Sequence, residues 1–182
     1  MTERDDAQLV GECLSGNVNA FETIVDRYQK PIYNAALRIV HNRDDAEDIV
    51  QSVFVKLYEN LAAFNPKHKL FSWIYRMAIN ESINFIKQKR AAGEPPSTLL
   101  ALDKTPEENY SAAALRESLL GALMKLDIDY RVVIILRHFE GFSYEEISYI
   151  IEVPEKTVKS RLFSARQNLR EILIKEGVTP ND

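Results

Sequence analysis

Ser143-Tyr144-Glu145-Glu146-Ile147-Ser148-Tyr149-Ile150-Ile151-Glu152-Val153-Pro154-Glu155-Lys156-Thr157-Val158-Lys159-Ser160-Arg161-Leu162 is the stretch on which the reading of this chain turns. Ser143 and Glu146 stand at capping-box spacing and open a short helix through Ile147 and Ile150, and Pro154 suits the first turn of a longer helix reaching Lys175. Short helix, tight turn and longer helix make helix-turn-helix order. Along the longer helix Val158, Leu162, Ala165 and Leu169 fall in one narrow arc, which should face the core and so set the rotation of the helix. The opposite side then carries Lys156, Ser160, Phe163 and Gln167, with Thr157, Lys159 and Ser164 close by, while Arg161 and Arg166 flank the apolar arc. A helix fits the DNA major groove, where Lys and Ser meet base edges and an apolar side chain meets a thymine methyl. An outward Phe163 calls for a contact, with DNA or with a protein face, unless it folds back on a neighbouring helix. Arg161 and Arg166 suit phosphates, or pair with Glu145, Glu146 or Glu171.

Upstream, Gly141 is placed to close a helix from about Asp129 to Glu140, preceded by one that Thr105 and Pro106 open and that runs to about Met124. Residues Ala91 to Thr105, with Gly93, Pro95 and Pro96, read as a flexible linker. The N-terminal part is helical too. Asn19 and Glu22 suggest a capping box opening a helix with Phe21, Ile24, Val25 and Tyr28, which Pro31 is expected to kink or break before Leu37 and Val40. A second helix begins near Asp44, with Ala46, Val50, Val53 and Leu57 inward and Phe54 and Leu61 widening the stripe. Its outer face, Asp48, Gln51, Ser52 and Glu59 around Val55, suits a partner helix or is simply solvated.

After a loop over Asn65 to Lys69, the helix Phe71 to Arg90 sets Trp73, Arg76, Asn80, Asn84 and Lys87 in one stripe, away from Ile74, Met77, Ala78 and Phe85. Aromatic, basic and amide side chains in one row are the chemistry that holds unstacked single-stranded bases. Core packing of Trp73 is the competing reading. With no strand-like alternation, the fold class is all-α, as two small helical domains, 1–90 and 107–182, joined by a flexible linker at 91–106.

The composition narrows the function classes. A chain of 182 residues that is 46% hydrophobic and 27% charged is globular, and its net charge of -4 means that local basic faces need a partner's help to hold DNA well. Cys13 is the one cysteine, so no intrachain disulfide forms, and a reducing cytoplasm suits it. His41, His68 and His138 are scattered, with no metal-ligand spacing, catalytic constellation or Gly-rich phosphate loop, so neither cofactor, metal nor enzyme activity is expected. Met1 to Asp6 is acidic with no apolar stretch behind it, and no apolar run reaches membrane-spanning length, so neither a secretory signal nor membrane insertion is expected.

Asp45-Ala46-Glu47-Asp48-Ile49-Val50-Gln51 with Phe54, then Phe71-Ser72-Trp73-Ile74-Tyr75-Arg76-Met77-Ala78-Ile79-Asn80, then Phe142 to Ile147 with Thr157 to Leu162, together resemble the extracytoplasmic-function (ECF) sigma factors of bacterial RNA polymerase over nearly the whole chain. The resemblance implies a non-enzymatic initiation subunit with conserved regions 2 and 4 only, bound to core polymerase and promoter DNA and held by an anti-sigma factor. It implies that Asp45, Asp48, Ile49, Gln51, Ser52 and Val55 dock on the clamp helices of the largest subunit. Lys67, Lys69, Trp73, Arg76, Asn80, Asn84 and Lys87 would melt the minus-ten element and capture a flipped base. Lys156, Thr157, Lys159, Ser160, Arg161, Phe163, Ser164 and Arg166 would read the minus-thirty-five duplex.

Several positions depart from the family pattern: Ser52 for a common Glu, Asn84 for Asp, Asp127 for Pro, Ser164 for Arg, and Glu155-Lys156 for a Gly-containing turn. A helix-turn-helix repressor acting without polymerase would need a dimer helix that is not apparent, and a decoy that only sequesters an anti-sigma factor would have lost Trp73, Asn80, Lys159 and Phe163.

Overall fold

A computed structural model describes residues 5–93 and 110–178, and these form two compact units. The first opens with a helix absent from the sequence expectations. In α1 (Asp6–Leu14), Asp5 and Gln8 make a capping box: the Gln8 N–H donates to Asp5 Oδ1 at 2.7 Å and the Asp5 N–H to Gln8 Oε1 at 3.3 Å. Leu9 and Val10 are buried, and α1 packs on α2 (Val18–Val40).

The start of α2 differs from the expected box at Asn19 and Glu22. Asn17 is the cap, its Oδ1 accepting from the Asn19 N–H at 3.1 Å, so the helix begins earlier by about half a turn. Pro31 lies inside α2 without breaking it. The reason is burial on both sides: Ile24, Tyr28, Ile32, Ala35 and Ile39 are all buried. At about 1.5–3 kcal/mol for each large side chain, this exceeds the roughly 3 kcal/mol that an interior proline costs. The helix ends at His41, whose left-handed backbone (φ 58°) lets its N–H reach the Leu37 carbonyl at 2.8 Å.

Asn42 then caps α3 (Arg43–Asn60), accepting from the Asp45 N–H at 3.0 Å. α3 buries Ala46, Ile49, Val53, Phe54 and Leu57, with Val50 only half-buried, and Leu61–Ala63 continues as a 3-10 turn. α4 (Leu70–Ala91) buries Leu70, Ile74, Tyr75, Ala78, Ile79 and Ser82, while Met77 and Phe85 are half-buried. Helices α2, α3 and α4 each pack on the other two. Two ion pairs lace α3 to α4, Asp45 with Lys89 at 2.7 Å and Lys56 with Glu81, which accounts for Glu81 near the apolar side of its helix.

The second unit holds α5 (Tyr110–Lys125), α6 (Ile128–Ile134), α7 (Tyr144–Ile151) as far as Ser148, and α8 (Glu155–Lys175). Asp127, where the family pattern has Pro, caps α6 through its carboxylate and the Asp129 N–H (3.3 Å). The helix expected over Asp129 to Glu140 is present, but its second half widens into a π turn (Ile135–Phe139) before Gly141 at φ +74°. The capping box of Ser143 and Glu146 opens α7 as expected, and Glu152 in the left-handed region (φ 56°) makes the turn to α8. Residues 94–106 of the expected linker and the Thr105-Pro106 helix start lie outside the described residues; Ala91 still belongs to α4. Among the described residues there is no strand.

Arg131 is the one cation buried in this unit among the described residues. Its Nε donates to the Leu123 carbonyl (3.0 Å) and its NH2 nitrogen to those of Met124 (2.7 Å) and Leu126 (3.2 Å), so it closes the carbonyls that the end of α5 leaves open. Replacing it by Met removes all three of these hydrogen bonds, although the Leu123 carbonyl keeps the Leu126 N–H (3.1 Å), and Arg131→Met should destabilise the C-terminal unit by about 3 kcal/mol in urea unfolding; Arg131→Lys, with no planar fork, should recover part of that.

In the first unit, Asp6 takes both the Arg27 guanidinium (2.7 Å) and the Tyr28 hydroxyl (2.6 Å). Burial, then the Asp6 carboxylate, pushes the Tyr28 phenol above its ordinary value. Tyr28→Phe should cost about 1–2 kcal/mol near neutral pH. Because the folded value is the higher one, this contribution is complete below about pH 10 and fades as the pH rises toward the folded value, so parent and variant stabilities should converge in alkaline unfolding titrations.

Candidate nucleic-acid and protein interfaces

Packing fixes the outward face of α8. Val158, Leu162 and Ala165 are buried, Leu169 is half-buried, and the helix lies against α6 and α5. Lys156, Lys159, Ser160, Phe163, Arg166 and Gln167 are consequently exposed, with Thr157, Arg161 and Ser164 half-buried. Phe163 is 66% exposed, so it does not fold back on a neighbouring helix.

The arginines differ from the expected pairing with glutamates. Arg161 pairs with Asp129 at the start of α6 (3.0 Å), which ties the flank of α8 to the unit's own core helix. The Nε–H of Arg166 donates to Nε2 of His138 at 3.3 Å. That contact requires a neutral imidazole, and burial, then Arg166 and Arg137, hold the His138 value below the usual one. Lys159 lies 3.5 Å from Glu155 one turn back and 5.6 Å from the centre of the Tyr144 ring. Sequence reasoning missed the Tyr144 and His138 contacts, which join residues far apart in the chain and have no periodic signature.

On α4, Asn80, Asn84 and Lys87 are exposed and Trp73 and Arg76 half-buried, with Lys67 and Lys69 exposed in the preceding loop. Trp73 is half-buried and packs on Phe64, with the ring centres 5.3 Å apart. Beneath it, Phe71 meets Tyr28 and Tyr75 at 5.6 and 4.5 Å between ring centres, a cluster that holds the first turn of α4 on α2.

The outer face of α3 separates into two groups. Asp48, Gln51 and Val55 (57% exposed) are accessible and Ser52 half so. Ile49, by contrast, is 2% exposed and is core, since it falls on the arc shared with Ala46 and Val53. Asp45 is committed to Lys89, with its side chain 14% exposed. These two hold the helix in its own unit, and the others stand on its accessible face. Among the described residues no helix is long and apolar enough to cross a membrane, and no group of three His, Cys, Asp or Glu could hold a metal ion.

Known proteins match both units. Residues 24–92 match the family model for sigma-70 region 2, and residues 116–169 that for sigma-70 region 4. RNA polymerase sigma-H factor of Pseudomonas aeruginosa is 31% identical across 95% of this chain and 96% of its own length. ECF RNA polymerase sigma factor SigW of Bacillus subtilis is 33% identical across 87% of this chain and 91% of its own. Among solved structures, CnrH in complex with the cytosolic domain of CnrY superposes with a TM-score of 0.70 at 26% identity, covering 92% of this chain and 96% of that one. The sigma factor RpoE of Bartonella quintana, in complex with the anti-sigma factor NepR, gives 0.69 at 25% identity over 84% and 96%. The chain belongs to the sigma-70 family of RNA polymerase sigma factors, in its ECF group.

Proposed function

We propose that this chain binds core RNA polymerase in the cytoplasm and gives it promoter specificity without catalytic residues of its own. Residues 1–90 dock on the clamp helices and open the minus-ten element, residues 107–182 read the minus-thirty-five element as duplex, and 91–106 connect them. Asp48, Gln51, Ser52 and Val55 make the docking face. Lys67, Lys69, Trp73, Arg76, Asn80, Asn84 and Lys87 hold the displaced strand, Trp73 by stacking and the amides by hydrogen bonds to an extruded base. Lys156, Thr157, Lys159, Ser160, Phe163 and Ser164 face the major groove, and Arg166 lies along a phosphate path. Arg161 reaches a phosphate only by leaving Asp129.

The observation that carries this reading is the exposed Phe163 between Ser160, Lys159 and Ser164 on the second helix of a helix-turn-helix, an apolar side chain left 66% exposed. The complexes of CnrH with CnrY and of RpoE with the anti-sigma factor NepR support an anti-sigma partner for this chain as well. The excess of acidic over basic residues, 27 against 23, keeps the free protein off bulk DNA and makes promoter binding a property of the assembled polymerase.

Run-off transcription with core polymerase on a promoter pool tests the reading, and failure of the chain to co-elute with core enzyme overturns it. Asn80→Ala should lower open-complex formation on the order of fivefold while a pre-opened bubble template restores activity. Lys159→Ala should weaken closed-complex binding by roughly tenfold, the loss of one base contact, and a pre-opened bubble should not restore it.

A further inference from the structure

Among the described residues, Lys159 is an exposed cation on the outward face of α8 that is held from two directions, and the group holding it from outside its own helix is an aromatic ring. Tyr144 is the first residue of α7, and its backbone is pinned by the capping box: the Glu146 N–H donates to Ser143 Oγ (3.2 Å) and the Ser143 N–H to Glu146 Oε2 (2.9 Å). Its ring is itself anchored. The Arg137 guanidinium lies over it with 5.0 Å to the ring centre, and an Arg137 NH1 nitrogen donates to the Phe142 carbonyl at 2.8 Å. The Lys159 ammonium stands 5.6 Å from the same ring and 3.5 Å from the Glu155 carboxylate, which draws it back toward the start of α8. Base edges are met by the N-terminal part of a recognition helix, so the ammonium is held on the side where it is needed.

The two holds are not equivalent on DNA. A carboxylate competes with phosphates for the cation and is itself repelled by them, whereas the ring attracts the ammonium through its quadrupole and carries no net charge. A lysine side chain loses substantial rotamer freedom when fixed, and part of that loss is taken in the free protein wherever a neighbour already confines it. Resting on the reading of α8 as the duplex reader, we propose that Tyr144, steadied by Arg137, is a positioning residue that pre-orients Lys159 and so sharpens discrimination at the base pair Lys159 contacts.

The test uses the full chain assembled with core polymerase and a promoter set substituted at each position of the upstream element. Lys159→Ala should flatten the preference at one position. Tyr144→Leu should reduce the preference at that same position by about threefold, with binding to unrelated duplex and the salt dependence unchanged, while Tyr144→Phe, which keeps the ring, should behave as the parent. In the Lys159→Ala background Tyr144→Leu should have no further effect on discrimination, which separates positioning from loss of fold. If Lys159→Ala flattens a position and Tyr144→Leu leaves it sharp, or if Tyr144→Phe loses discrimination equally, the positioning role is overturned and the duplex reading stands. A Lys159→Ala variant with an unchanged profile overturns both.

Discussion

Rotation is the constraint on which both units depend. A helix that buries one arc has only one remaining face to offer, and here the buried arcs are Val158, Leu162 and Ala165 in α8 and Ile74, Ala78 and Ser82 in α4. Turning α8 far enough to hide Phe163 would bring Leu162 into water, at a cost of about 1.5–3 kcal/mol for that side chain alone. The outward residues need no specific contact of their own to stay outward. Small residues at Ala165, Ala78 and Ser82 let neighbouring helices approach closely and leave little slack in the angle.

The sites are also shaped by how charge is spent inside each unit. Asp6 takes Arg27, Lys89 takes Asp45, Glu81 takes Lys56, Glu176 takes Lys125 and Asp129 takes Arg161. Each exposed pair adds little to stability on its own. Their larger effect is to remove charges from the inventory that could act outside, so the basic character of a helix read from its composition overstates what it can offer a polyanion. On α8 the exposed arginine with an imidazole for a neighbour, Arg166, is more available to a phosphate than Arg161, although the sequence treats the two alike.

The sequence carries what is periodic and local. The all-α class, the helix-turn-helix, the Ser143 box, Gly141 and the inward arcs of α3, α4 and α8 are legible because amphipathic spacing and caps act within a few residues. The helix at Asp6 is hard to read from the sequence although Asp5 and Gln8 have capping-box spacing, since its nine residues are too few for a clear apolar period and bury only Leu9 and Val10. Pro31 does not break α2, because a local penalty says nothing about how much apolar surface lies on either side of it. The family resemblance counts Ile49 among the docking residues, while its place beside Ala46 and Val53 on the wheel puts it inward. The π turn at Ile135–Phe139 and the contacts of Arg131, Tyr144 and His138 depend on tertiary neighbours, which one sequence does not encode by spacing.

The latch formed by Asp6 on Arg27 and Tyr28 bears on where the N-terminal unit can be cut. The family match begins at residue 24, yet Leu9 is wholly enclosed, and Tyr28 gives its hydroxyl proton to a carboxylate eighteen residues upstream of that boundary. An excised fragment trimmed to the limits of the family model would expose an oily notch on the second helix and remove the acceptor that a phenol and a guanidinium share. Folding autonomy therefore extends further upstream than the region 2 family model does.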